Sequence, residues 1–170
     1  MATFNVNTDL VKGNDMYLFI TLPDSGGNIS TAITDAEVVA YATSCSLEIN
    51  ADTIDTTSKF SCRWNSVMQG NASYTVNADA LYALQSKMAA QSAYTIDDLF
   101  EAMVDGKNVG WYMAPRPEGE ECSDLPTIDS SAVYYYGTAA ITSLSITAGN
   151  NEVCSSSITL TGDGIINKAN

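Results

Sequence analysis

Cys45, Cys62, Cys122 and Cys154, together with twenty Asp and Glu residues, are the side chains of this sequence best suited to covalent, acid–base or metal chemistry. The cysteines lie far apart with no C-x-x-C pair, so the ligand spacing of a zinc cluster is missing. The expectation is four reduced, partly buried thiols, with two disulfides as the alternative. The chain has no histidine, which removes the commonest general base and every Ser/His or Cys/His nucleophile arrangement. Asp97, Asp98 and Glu101 could be imagined as a carboxylate pair for glycoside hydrolysis. They also sit where a helix begins, and the positive helix start accounts for them without chemistry. Asp24, Asp52, Asp55, Asp163 and the run Glu118-Gly119-Glu120-Glu121 offer oxygen ligands for calcium, yet none has the D-x-[DN]-x-[DN]-G spacing, and a solvated acidic face is the simpler reading. No catalytic, cofactor-binding or metal-ligating residue is expected, and the chain is not read as an enzyme.

Charge narrows the partners further. Seven Lys plus Arg against twenty acids leave a net charge of −13 in 170 residues, which repels phosphate backbones and anionic membranes. Apolar residues make up 45% and charged ones 16%, so a globular core is available while much of the surface must be Ser, Thr, Asn or Ala. The apolar run from Met16 to Leu22 is too short to span a membrane, and the polar N-terminus does not read as a leader. One domain across 1–170 is expected, with a polar loop region at about 23–36 and an acidic loop at about 115–132.

The elements that must position these residues are mostly strands. Met16–Leu22 is rich in aromatic and β-branched residues and stops at a Pro-Asp-Ser-Gly-Gly turn. From Val38 to Asn50 the period is two, with Cys45, Leu47 and Ile49 opposite Ser44, Ser46, Glu48 and Asn50. Phe60 to Trp64 reads as a short strand ending on an aromatic anchor, and Asn71 to Asp79 as another strand. Asn108 to Pro115 is a third apolar stretch. At the end of the chain Leu144 and Ile146 alternate with Ser143, Ser145 and Thr147, and Ile158 and Leu160 with Ser155, Ser157, Thr159 and Thr161, the pattern of a long half-buried hairpin.

Two helices are expected. In ADALYALQSKMAA, Leu81, Leu84 and Met88 follow helical spacing with Asp79 as cap. In TIDDLFEAMVDGK, Thr95 and Asp98 fit a capping box, Gly106 can end the helix, and Ile96, Leu99, Phe100 and Met103 form one core face. Together these elements predict a mainly β fold: a β-sandwich or partly closed barrel with one or two flanking α-helices. Tyr134, Tyr135, Tyr136, Trp111 and Trp64 could form a sugar-stacking platform, or be core and interface.

The runs VAYATSCSLEINADTIDTTSK, YTVNADALY and TIDDLFEAMVDGKNVGWYM, and above all GTAAITSLSITAGNNEVCSSSITLTGDG from Gly137 to Gly164, resemble the major tail tube proteins of long-tailed bacteriophages. The likeness extends over about residues 38–168 and is a pattern of several blocks; the acidic loop looks like an insertion. It implies a tail-tube fold that assembles as hexameric rings stacked into the conduit for genome ejection, in a virion tail built in the bacterial cytoplasm. The partners it implies are further copies of the chain, other tail proteins and passing double-stranded DNA that is not specifically bound, with no membrane. Under that resemblance Ser143, Ser145, Thr147, Ser155, Ser157, Thr159 and Thr161 are candidates for the lumen face, and Asp52, Asp55, Thr56, Thr57, Ser58 and Lys59 for an inter-subunit loop. The alternative is a monomeric β-sandwich carbohydrate-binding or adhesin module.

Overall fold

The computed structural model describes residues 11–61, 63–84, 92–117 and 125–169. Along the chain run β1 (Met16–Thr21), β2 (Glu37–Val39), β3 (Ala42–Asp55), β4 (Val67–Leu81), β5 (Ala93–Tyr94), helix α1 (Ile96–Val104), β6 (Asn108–Pro115), β7 (Tyr134–Thr147) and β8 (Ser155–Ala169). The strands form one eight-stranded sheet in the order β3-β4-β8-β7-β6-β1-β2-β5. All neighbours are antiparallel except β2 and β5. The sheet is curled without closing: Leu18 and Ile20 of β1 share one core with Val76 and Ala78 of β4 and Ile158 and Leu160 of β8. Where β3 approaches β1, the Cys45 thiol donates to the Met16 carbonyl at 3.7 Å.

Alternation along the strands builds this core. In β4 Tyr74, Val76, Ala78 and Ala80 are buried, while Asp79 and Leu81 between and beyond them are exposed. Strand β6 is buried on both faces from Val109 to Pro115. Val109, Trp111 and Met113 enter the main core, and Tyr112 and Ala114 enter a second cluster with Phe19, Val38 and Tyr134. Two-sided burial explains its near-continuous apolar sequence.

One side chain ties four strands together. Tyr74 lies over positions in β7 and β8 where no Cβ is present: a Cβ on Gly162 would fall 2.4 Å from the Tyr74 ring, and one on Gly137 would fall 2.7 Å from its hydroxyl. The hydroxyl donates to the Thr138 carbonyl at 2.6 Å, and the ring meets Trp111 of β6 at a 5.5 Å centroid distance. Residues Tyr136 and Thr138 flank a register shift in the β6-facing half of β7, so the tyrosine holds the sheet where it bends.

Helix α1 begins as its sequence predicts. The Asp98 carboxylate accepts from the Thr95 backbone N–H at 2.8 Å and from its hydroxyl at 2.7 Å. At the other end Lys107 N–H bonds the Ala102 carbonyl and Gly106 N–H bonds that of Met103, with Gly106 in the left-handed region at φ 67°. The buried face is Ile96, Leu99 and Ala102. Phe100, expected in the core, is 56% exposed, and Met103 is covered over more than half of its surface without being buried. This nine-residue helix packs on β7 and β6 with a narrow stripe at i, i+3 and i+6, and Phe100 lies off that stripe, lining an open cleft with Leu144 and Ile146 of β7.

Three further expectations change. Ala78 to Leu81 continue β4 instead of starting a helix, and Leu81 and Leu84 are exposed; Met88 and the rest of the expected helix lie outside the described residues. Asp79 caps nothing and pairs across the sheet. Phe60 lies within a 3₁₀ turn, Lys59–Ser61, and Trp64 follows it; they are 97% and 79% exposed, so neither anchors the fold. Asp52 and Asp55, candidates for a loop, lie instead in strand β3, whose residues 53–55 pair with 67–69.

Burial sets the outcome of two substitutions in α1. Leu99→Ala should cost about 2–5 kcal/mol, and Phe100→Ala should stay within about 0.5 kcal/mol for the isolated subunit, both read by urea unfolding. Gly162→Ala should destabilise by about 1–3 kcal/mol through overpacking against Tyr74. Tyr74→Phe, losing a single hydrogen bond, should cost about 1 kcal/mol; a parental melting curve for Gly162→Ala would mean that the ring does not press on that strand.

Candidate assembly interface

The surface with the most consistent chemistry is the outer face of β3, β4, β8 and β7. Register places Ser143 beside Thr159, Ser145 beside Ser157, and Thr147 beside Ser155. It continues Thr161 to Thr75, Thr159 to Asn77 and Ser157 to Asp79 in β4, and from there to Glu48, Ser46 and Ser44 in β3. All seven Ser and Thr positions singled out in the terminal hairpin therefore share one face. Six are exposed, and Thr159 is half-buried.

Hydrogen bonds run across this face from strand to strand. Asp79 accepts from Ser157 at 2.6 Å and from Ser44 at 2.8 Å, Thr159 donates to the Asn77 amide oxygen at 3.0 Å, and Thr142 and Thr161 share a bond of 3.0 Å. The Ser157 hydroxyl, followed by that of Ser44, holds the Asp79 carboxyl below the usual carboxylate range, so it stays ionised to lower pH than an ordinary Asp. Across 42–50, 73–81, 140–147 and 155–161 the charged residues are Glu48 and Asp79, with no Lys or Arg. The face is thus a hydroxyl and amide lawn with carboxylate charge.

Sequence reasoning found the β7 and β8 part of this face and missed Asn77 and Asp79, because the helical spacing of Leu81 and Leu84 drew Asp79 into a capping role. The signal that locates them is the period of two from Tyr74, which continues unbroken through Ala80.

Both sides of this four-strand unit end in open backbone. Among the described residues, strand β3 has β4 on one side and no strand on the other. Strand β7 is paired to β6 only as far as Ala140, which faces Asn108, so among the described residues 141–147 pair with β8 alone. Three antiparallel steps separate β3 from β7, so these two open edges run in opposite senses.

At one end the unit extends into a ribbon. Strand β8 pairs with β4 from Thr75 onward, so the earlier part of β4 and the later part of β3 project as a two-stranded arm. The arm is roughly 25 Å long at the usual rise per residue. The predicted loop residues lie here: Asp52 and Asp55 in β3, Thr56, Thr57 and Ser58 in the turn, Lys59 in the 3₁₀ segment. Thr56 N–H bonds the Ser66 carbonyl and Thr57 N–H bonds Asp55 Oδ1, closing the turn on itself. Apart from half-buried Gly70, the described residues from Asn50 to Ala72 are exposed except at Ser61.

The other candidate sites separate. Asp98 caps α1, and Asp97 accepts from the Tyr82 hydroxyl at 3.1 Å, so the helix acids have structural partners. Trp111 is fully buried and cannot stack a sugar, while Tyr134 and Tyr136 pack with Tyr112. Among the described residues no group of three or more acids or cysteines could hold a metal ion. Cys45 and Cys154 are free thiols, and burial pushes the Cys45 thiol up; Cys62 and Cys122 lie outside the described residues. No helix is long and apolar enough to cross a membrane among the described residues.

Comparison with solved structures finds this architecture in tail tubes. A chain from "Tail of empty GTA particle computed with helical refinement, C6 symmetry" is similar with a TM-score of 0.65 at 16% identity, over 95% of this chain and 100% of that one. The SPP1 tail tube is similar with a TM-score of 0.64 at 12% identity, over 94% of this chain and 79% of that one. A chain of the anti-feeding prophage baseplate, 6-fold symmetrised, follows with a TM-score of 0.56 at 11% identity, over 98% and 97%. No curated protein matches the sequence. The profile of the family described as phage tail tube protein matches residues 10–168, and the chain therefore belongs to the phage tail tube protein family.

Proposed function

We propose that this structural, non-enzymatic virion protein closes into hexameric rings through the open edges of β3 and β7, and that the rings stack into the tail tube with the Ser/Thr face toward the lumen. The observation that carries this reading is the pairing of two open, oppositely running edges on the two sides of one polar face. Added edge to edge under rotation, the next copy's β3 runs antiparallel to β7, so a closed ring is a continuous antiparallel barrel with no strand left unpaired. The C6 symmetry of the similar gene transfer agent tail supports six copies.

The proposed lumen residues are Ser143, Ser145, Thr147, Ser155, Ser157, Thr159 and Thr161, now joined by Asn77 and Asp79. Hydroxyls and carboxylates offer DNA no cationic grip, and repulsion screened over about 8 Å at physiological salt keeps the duplex moving. The β3–β4 arm, with Asp52, Asp55, Thr56, Thr57, Ser58 and Lys59, is suited to reach an adjacent ring. Residues 1–170 are read as a single domain, and other tail proteins are the partners at the tube ends.

Negative-stain electron microscopy of the purified protein over a concentration series, with and without a tail-tip initiator complex, should reveal rings or hollow tubes with sixfold end views. A uniform monomer in every condition would remove the ring reading. In assembled phage, Ser157→Lys combined with Thr159→Lys should slow or stall DNA ejection, and normal infectivity in that double variant would exclude the lumen position.

A further inference from the structure

The core-facing row of β3 contains Cys45, Leu47 and Ile49, level with the buried Ala78, Val76 and Tyr74 of β4. Cys45 and Leu47 pack against their own core, whereas Ile49 is 54% exposed, with its side chain on the core side of an open edge. At the opposite edge of the same unit, an open cleft of about 380 Å³ lies between α1 and β7, lined by Ile96, Asp97, Phe100, Leu144 and Ile146. Here too apolar side chains are left in water: Phe100, and Ile146 at 53% exposure. Leu144 and Ile146 lie on the core side of β7, beside Ile158 and the buried Ser156 of β8.

Both features occupy the same side of the sheet, one at each open edge. From these placements we infer that Ile49 of one copy seats in the cleft formed by Phe100, Leu144 and Ile146 of the next copy. The inference rests on the ring reading and names the contact that fixes its register. Rotation about a ring axis keeps the core side of every copy facing the same way, so the incoming β3 presents Ile49 to the cleft and not to the polar face. Within one subunit Leu144 is level with Ile158, Ala78 and Cys45. Strands in a closed barrel are staggered, and β3 begins at Ala42, so the stagger that keeps residues 141–147 paired is the one that moves later β3 residues beside them. That shift carries Ile49 toward Leu144 and Ile146. Burying exposed apolar groups from both copies supplies the driving force that a Ser- and Thr-rich contact lacks, and it gives Phe100 the burial it does not have within the subunit.

The test compares tube yield by sedimentation and negative-stain microscopy for the parent, Ile49→Asp, Ile146→Lys and the double variant. Circular dichroism should match the parent in all three variants, since both side chains are exposed in the subunit. Each single variant should assemble at least about tenfold less, because closure would bury an unpaired charge, and the double variant should recover assembly as the charges meet. Parental assembly by Ile49→Asp, or two defective singles without recovery in the double, would overturn the contact while leaving ring formation standing. A parent that forms no rings with the initiator present would overturn both.

Discussion

The curl of the sheet depends on Tyr74 finding two strands without side chains beneath it. A flat eight-stranded sheet would leave one face in water, and only by folding over can β1 cover β4 and β8. At Gly137 and Gly162 the backbone itself becomes the packing surface, so β4 can approach β7 and β8 with an aromatic ring between them. The ring also uses its polar end, bonding the Thr138 carbonyl where the strand register shifts and the ordinary ladder is interrupted. Gly137, which opens the terminal hairpin block, and Gly162 near its end therefore serve the interior.

This curl leaves the subunit unfinished on purpose of geometry alone. The half of the sheet from β6 to β5 has both faces covered, by the main core and by the second cluster around Phe19 and Tyr112. The half from β3 to β7 has a covered face, a polar face and two edges of unsatisfied backbone. Long exposed edges normally invite uncontrolled pairing. In the proposed ring the net charge of −13 per copy opposes contact until edge pairing compensates. On that reading assembly and folding draw on the same strands, with the apolar side holding the subunit together and the backbone edges left for its neighbours.

Much of this was legible in the sequence. Aromatic and apolar runs located β1 and β6, period-two alternation located much of β3 and β4 and all of the β7–β8 hairpin, and the Thr95–Asp98 pair with Gly106 located α1 nearly to the residue. The polar face of the terminal hairpin followed from the same alternation. Leu81 and Leu84 misled because a few apolar residues at helical spacing cannot outweigh tertiary pairing, and β8 was already in place to bond Ala78 to Leu81. Phe100 misled for a different reason: an amphipathic stripe records every apolar surface a helix will use, and does not distinguish the subunit's own core from a cleft at its edge. Of the candidate site, the hairpin face could be read and the open edges could not, since which strand ends unpaired depends on the order of strands in the sheet.

The arm formed by β3 and β4 has a consequence for direction. A wall whose strands alternate up and down has almost no net backbone dipole, so its backbone alone marks no direction along the tube. The arm supplies one, because each copy carries it at the same end, beyond the last residue of β4 that β8 reaches. In the proposed tube this hairpin projects from the same end of every ring, so the two ends of the stack differ in what they offer the next ring.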